Sequence, residues 1–336
     1  MTPTCGHVEA SAVLEDLAHH SSAFLALNAG NEFFTVAGVQ GLIAYRPQGR
    51  CWIQFTGAVG SDETARRELD AAFLAAAARE HKRVIAVQLS KSDAERAADA
   101  GWVVNQLGSS YGIDLSAFTL RGQKFVKTRN MISRSKREGV AVTEVTVDRS
   151  ADAGLVSQLD AIDTAWLRSK GRHVKELRLM IGERGGPLQH KRRLFLAEVA
   201  GRVAAYVSFA PVYGTQHGWL YDLTRRVPGA PPGVVEHIFA VAAETLRKDG
   251  AGWIHLGFTP FVGIEQEHEF PQSSSRMLAL AAAQVRRHGR ALYPAESQLA
   301  FKSKWRPHQV TPEYIAFPGR IRAGDVWHLA RATNVL

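Results

Sequence analysis

Apolar and polar positions along the chain follow two periods in turn. Residues 31–38 (NEFFTVAG), 40–49 (QGLIAYRPQG) and 51–60 (CWIQFTGAVG) are short runs rich in aromatic and β-branched side chains, each closed by Gly or Pro, and they predict three consecutive strands. Residues 62–81 follow, with Ala71, Phe73, Leu74 and Ala78 at helical spacing behind Ser61, which predicts a helix capped by Ser61. RVIAVQLS (83–90) reads as a buried strand, 91–100 as a short helix, and 102–115 (WVVNQLGSSYGIDL) as a returning strand.

The second half repeats this order. Residues 152–169 form a helix pattern; RRLFLAEVAG (192–201) and RVAAYVSFAPV (202–212) form a hairpin turning at Gly201; HGWLYDLTRR (217–226) is a third strand. A helix over 234–248, a strand over 251–260, a helix over 273–288 and a last strand over 314–317 complete it. Strands, then helix, strand, helix, strand is the element order of the acetyltransferase-like (GNAT) α/β fold, and its recurrence predicts two such domains in tandem. The divisions expected are a flexible N-terminus (1–20), an N-terminal GNAT-like domain (21–120), a basic linking helix and connection (121–150), and a C-terminal GNAT-like catalytic domain (151–336).

Charge narrows the partners. Of 336 residues, 41 are Lys or Arg against 32 Asp or Glu, a net charge of +9 that favours a polyanion such as nucleic acid, an anionic membrane or a phosphorylated substrate. No stretch reaches the ~18 apolar residues of a membrane span, the best candidate (194–212) being interrupted by Glu198, Arg202 and Pro211. The start MTPTCGHVEA has no basic region followed by an apolar run, so no signal peptide is expected. Two cysteines, Cys5 and Cys51, give no disulfide framework and suit a reducing cytoplasm.

Three segments could carry chemistry. Residues 121–139 hold Arg121, Lys124, Lys127, Arg129, Arg134, Lys136 and Arg137 against the single acid Glu138. On a helix, Lys124, Lys127, Arg134 and Arg137 share one side, suited to a phosphate backbone. Arg129 and Lys136 fall with Phe125 and Ile132, so Arg129 should be partly buried against a fixed partner. Residues 219–233 (WLYDLTRRVPGAPPG) end a strand at Asp222 to Arg225, expected to face a cleft, and open a helix near Gly233, where free N–H groups could hold an anion. Arg226 and Gly229 fit the start of a coenzyme-A loop pattern, but Pro231 stands where its last Gly or Ala belongs. Residues 292–317 contain Lys302 and Lys304 flanked by Phe301 and Trp305; if extended, they present two cations on one side. The histidines show no metal-ligand spacing, His19, His20 and the EQEHEF run (265–270) read as surface, Cys51 reads as core, and Ser110 in GSSYG matches no nucleophile motif.

Together these segments resemble the catalytic domain of the phosphatidylglycerol lysyltransferase and alanyltransferase family, the aminoacyl-phosphatidylglycerol synthases of the multiple peptide resistance factor. GIDLSAFTLRGQKFVKTRNMISRSKREG, DAIDTAWL, YDLTRRVPGAPPGVVEHIF, HLGFTPFVG and AFKSKWRP match the family's landmarks in order, over about residues 30–317. The resemblance implies a tandem acetyltransferase-like fold in a stand-alone member, cytoplasmic or peripheral to the inner membrane face. It implies aminoacyl transfer from charged tRNA, with no cofactor and no metal, to a lipid hydroxyl or to a small soluble metabolite as in natural-product biosynthesis. The family's functional Asp and Arg fall on Asp222 and Arg225, and its Lys on Lys302 or Lys304, with Lys302 preferred. Asp222 is expected to hold the α-amino group, and Arg225 and Lys302 to stabilise negative charge. Trp305 in place of Phe, the missing Trp after Pro307, and TGAVGS in place of the family's GDP all touch the acceptor side. An acyl-CoA-dependent GNAT N-acyltransferase is the alternative.

Overall fold

The computed structural model describes residues 4–169, 179–186, 188–288 and 295–334. The first half runs α1 (His7–Leu17), β1 (Glu32–Phe34), β2 (Gly41–Gln48), β3 (Cys51–Gly60), α2 (Glu63–Arg79), β4 (Arg83–Leu89), α3 (Lys91–Asp99) and β5 (Val103–Asp114). The connection carries α4 (Val126–Arg137), β6 (Ala141–Glu144) and the short α5 (Val147–Ser150). The second half runs α6 (Ala153–Ser169), β7 (Arg193–Val199), β8 (Arg202–Val212), β9 (Gly218–Arg226), α7 (Val234–Lys248), β10 (Trp253–Pro260), α8 (Arg276–His288), α9 (Ala295–Lys304), β11 (Gln309–Phe317) and α10 (Ala323–Ala332).

These strands form one sheet of eleven, in the order β1-β2-β3-β4-β11-β5-β10-β9-β8-β7-β6. Each half has an antiparallel pair followed by a parallel one: β2 with β3 then β3 with β4, and β8 with β9 then β9 with β10. The halves exchange their last strands. β11 lies antiparallel to β4, β5 lies antiparallel to β10, and β5 and β11 pair with each other at the centre. The acetyltransferase-like repeat is therefore present, but a boundary near residue 150 does not separate two sheets: the exchange crosses it, and β6 of the connection pairs with β7.

Both sheet faces are covered. On one, Val234, Ile238, Phe239, Ala242 and Leu246 of α7 have no exposure and pack on Phe195, Val207 and Phe209; each such large side chain contributes roughly 1.5–3 kcal/mol by burial. Trp305, fully buried, stacks on Phe239 with ring centroids 3.9 Å apart, so the bulkier residue standing where Phe is usual fills space above α7.

Several local expectations are corrected. The stretch expected to be flexible (1–20) contains α1, whose Ala10 and Leu14 are fully buried in the core; residues 1–3 lie outside the described residues. Asp62, not Ser61, caps α2, accepting the Ala65 N–H. The linking helix is continuous only from Val126, preceded by a 3-10 turn over Gln123–Phe125. Cys51 is core, as expected, at 1% exposure.

Candidate functional site

The site lies where paired strands part. β9 pairs with β10 over Gly218–Leu220 and Trp253–His255, and β3 pairs with β4 over Cys51–Phe55 and Arg83–Val87. The polar clusters follow these points, at the carboxyl ends of parallel strands, where α/β sheets leave a crevice.

Asp222 is placed by a β-bulge. Ser208 opposes Leu223 and Phe209 opposes Tyr221, so Asp222 is an extra residue in β9. Residues three apart on a regular strand face opposite sides. The bulge cancels that: Tyr221 packs on Phe209 and Phe239 toward α7, while Asp222, Leu223 and Arg225 all turn to the other face. The grouping of Asp222 with Arg225 was legible in the sequence; the bulge that makes it possible was not.

Asp222 does not face an open cleft as expected. Its side chain is 1% exposed and bonded to Arg192, itself 4% exposed. Arg192 also donates to Asn28 Oδ1 (3.1 Å), and its guanidinium lies 5.0 Å from the centre of the Phe24 ring. Burial pushes the Asp222 carboxyl up to about 6, while Arg192 pulls it back. The backbone of Gly182 lies so close that a Cβ there would stand 1.8 Å from Asp222 Oδ1. Arg225, 5% exposed, sits with its guanidinium 3.9 Å from the Trp166 ring centre and 3.9 Å from Asp163 Oδ1. Asp163 in turn accepts from Tyr206 and from Arg184 (2.7 and 3.0 Å). Trp166 and Asp163 come from α6, the helix of the DAIDTAWL segment.

The two lysines part company. Residues 295–304 are helical rather than extended, so positions two apart diverge; residues 292–294 of that segment lie outside the described residues. Lys302, 4% exposed, donates to the carbonyls of Gly257 (2.6 Å) and Phe258 (2.9 Å) on β10, with the Tyr111 ring centre 5.3 Å away. Burial lowers its pKa to about 7, against the pull of Glu313. Lys304 pairs with Glu236 of α7 at 2.5 Å and points away from that chemistry.

A cavity of about 300 Å³ opens beside β11, lined by Thr56, Ala58, Ser90, Ser110, His255 and Glu313 among others. Glu313, 2% exposed, accepts from Ser110 and lies 3.6 Å from His20 Nε2. His20 is therefore not a surface residue, its side chain being 11% exposed, and Ser110 has a charged partner. No spacing in the sequence links positions 20, 110, 255 and 313; the strand exchange alone brings β5 and β11 together. His19 is exposed, and Glu265 and Glu267 of the EQEHEF run are exposed, as expected.

The basic helix presents Lys124, Lys127, Arg134, Lys136 and Arg137 to solvent, with Arg134 bonded to Glu138 at 2.9 Å. Arg129 has the fixed partners expected of it, the carbonyls of Leu120 (2.6 Å) and Gly122 (2.7 Å). Lys136 is exposed although it falls on the side of the helix that carries Phe125 and Ile132. The start of α7, expected to offer free N–H groups, abuts α4: a Cβ on Gly233 would stand 2.1 Å from the Met131 carbonyl oxygen.

These features define a two-half α/β protein with a buried charged site at the strand partings. Residues 11–317 match the family described as "Phosphatidylglycerol lysyltransferase, C-terminal", and the chain belongs to that family. The lysylphosphatidylglycerol biosynthesis bifunctional protein LysX of Rhodococcus jostii (strain RHA1) is 27% identical over 169 residues, 50% of this chain and 15% of that protein. That of Rhodococcus opacus (strain B4) is 28% identical over the same length. The chain thus spans about one seventh of the curated relatives it matches. Among solved structures, the C-terminal domain of a lysylphosphatidylglycerol synthetase of Agrobacterium fabrum superposes with a TM-score of 0.77 at 24% identity, covering 98% of this chain and 96% of that one. L-PGS from Bacillus licheniformis gives 0.79 at 21%, covering 98% and 96%. These two share the fold. No helix among the described residues is long and apolar enough to cross a membrane.

Proposed function

We propose that this chain transfers an aminoacyl group from aminoacyl-tRNA to a hydroxyl or amine acceptor, either a phosphatidylglycerol-like lipid or a small soluble metabolite. The observation that carries this reading is the buried Asp222–Arg192 and Arg225–Asp163 arrangement at the parting of β9 from β10, in a chain of this family. An aminoacyl ester is already activated, so the acceptor oxygen or nitrogen attacks its carbonyl carbon directly. The bond to the tRNA ribose oxygen breaks, and the acceptor's proton passes to that oxygen. The protein supplies position and charge. Arg225 and Lys302 stabilise the negative charge that develops, Asp222 holds Arg192 in place, and Lys124, Lys127, Arg129, Arg134, Lys136 and Arg137 form the tRNA-facing surface. The reaction as written needs no cofactor or metal. A cytoplasmic protein touching the inner membrane face would meet both substrates, its net charge of +9 favouring the anionic surface.

An acyl-CoA donor finds less to hold it. The helix start after the PGAPPG loop meets the Met131 carbonyl, an acceptor where a pyrophosphate needs donors.

The test is transfer of labelled amino acids from mixed charged tRNAs in a cell extract, with and without RNase. RNase-sensitive label in the organic phase identifies a lipid acceptor, and on a small aqueous product a soluble one. Turnover of acetyl-CoA with no RNase-sensitive label would overturn the reading.

A further inference from the structure

The helix α10 (Ala323–Ala332) lies beyond residues 11–317, which match the family. Its inner side is firmly held. Asp325, 1% exposed, accepts two hydrogen bonds from Arg83 at the start of β4 (2.6 and 2.7 Å) and one from the Arg322 N–H (2.8 Å). Leu329 and Ala332 pack against the core. Asp325 is the only acid in the helix, so no carboxylate is left for its outer side. That side carries Ala323, Val326, Trp327 and Arg331, with Val326 49% and Trp327 51% exposed. A helix that buries its one carboxylate and shows Val and Trp to water inverts the usual amphipathic arrangement.

Cations border this outer side. Arg83 donates to the Arg320 carbonyl (2.9 Å), and its own N–H donates to the Arg50 carbonyl (2.9 Å). Lys82 donates to the Gly49 carbonyl (2.8 Å), and a Cβ on Gly49 would stand 2.5 Å from the His328 ring. These contacts gather Arg50, Lys82, Arg320 and Arg322 about the first turns of α10. Residues 47–50, 79–83 and 318–334 together hold seven Lys or Arg against two acids, Glu80 and Asp325. Asp325 is taken by Arg83, and among the described residues Arg50, Lys82, Arg320 and Arg322 form no ion pair with an acid. Exposed indole and aliphatic groups rimmed by unpaired cations suit an anionic bilayer: tryptophan settles at the headgroup level, the apolar face enters the acyl boundary, and the cations meet phosphates. A nucleic acid would use the cations and the indole but leaves Val326 without an apolar neighbour.

We propose that α10 and its basic border dock on an anionic lipid bilayer, with Val326 and Trp327 entering the interface and Arg320 and Arg322 meeting headgroup phosphates. The proposal deepens, and rests on, the reading that the chain works at an anionic membrane face.

The test is sedimentation of the full chain with vesicles of phosphatidylcholine alone, or of phosphatidylcholine and phosphatidylglycerol in equal parts, with no tRNA present. Binding to the anionic vesicles should be roughly tenfold tighter or more, and should weaken as salt is raised. The double variants Val326→Ser with Trp327→Ser, and Arg320→Gln with Arg322→Gln, should each weaken it by roughly tenfold. Phosphatidylglycerol brominated on its acyl chains should quench the wild-type fluorescence, and Trp327→Phe should remove most of that quenching; this readout does not depend on either double variant folding. Equal binding to the two kinds of vesicle, full binding by either double variant, or unchanged quenching in Trp327→Phe would overturn the docking. So would intact vesicle binding in Val326→Ser with Trp327→Ser alongside loss of mixed-tRNA binding, which marks an RNA surface, or alongside dissociation of a dimer, which marks a second copy of the chain. Neither tRNA nor turnover enters the vesicle assay, so docking without aminoacyl transfer leaves this proposal standing, and transfer without docking removes it alone.

Discussion

Asp222 and Arg192 lie thirty positions apart in sequence and form an ion pair in which the side chains are 1% and 4% exposed. Removing one partner of such a pair leaves an uncompensated buried charge, at a cost of about 3–5 kcal/mol. Arg192→Met should therefore lower stability by that order in urea unfolding. Adding Asp222→Asn should recover part of the loss, because the pair is then neutral. If the double variant is as unstable as the sum of the two single ones, the residues are not coupled.

Gly182 makes the Asp222 site intolerant of a single methyl group. Its Cβ would stand 1.8 Å from the Asp222 carboxylate, so Gly182→Ala must push Asp222 off Arg192. We expect transfer activity to fall by two orders of magnitude or more, the scale of a misplaced reacting geometry, with full binding of tRNA retained. Activity within twofold of wild type would show that Asp222 need not hold its place.

Lys302 sets a pH signature. Burial holds its pKa at about 7, below the ordinary 10.5, so between those values the unfolded chain binds more protons than the folded one. Stability contributed by this site is thus greatest above pH 10.5 and is lost as pH falls toward 7, with a slope of up to about 1.4 kcal/mol per pH unit. Lys302→Met removes the titration. Wild type should gain stability relative to this variant from pH 7 to 10 in paired unfolding curves, and parallel curves would refute the buried placement.

Lys124 and Lys127 are exposed on the basic segment and pair with no acid among the described residues. Replacing both by Ala should weaken tRNA binding similarly for all tRNAs and reduce the slope of log K against log salt by roughly 1 per lost phosphate contact. An unchanged slope would place the tRNA elsewhere.

Gly233 occupies a place that no side chain fits without strain and crowding. Its φ is +81°, and a Cβ would meet the Met131 carbonyl oxygen at 2.1 Å. Gly233→Ala should cost roughly 1–3 kcal/mol by opening the α4–α7 contact, seen as a lowered thermal midpoint.

Local physics was legible along the chain. The period-2 and period-3.6 runs located the repeated strands and the helices α2, α3, α4, α6, α7 and α8, but not α1, β6, α9 or α10; where they succeeded, the burial face is written in the element's own residues, as in the apolar stripe of α7 from Val234 to Leu246 and the continuous buried run of β3 from Cys51 to Gly60. The element order also sufficed for a two-half acetyltransferase-like fold, and the family landmarks drew attention to Asp222, Arg225 and Lys302. Tertiary structure decided what depends on distant partners. The exchange of β5 and β11 leaves no local mark in the sequence, yet it joins Ser110 to Glu313, and the packing of the segment after α1 sets His20 beside them. Arg192 became Asp222's partner through the fold. Lys302 and Lys304, neighbours in sequence, were separated by a helical turn into a carbonyl-bound buried ammonium and a bridge to Glu236. Backbone periodicity is a property of neighbours in the chain, whereas charge compensation belongs to whichever groups the packed sheet brings into contact.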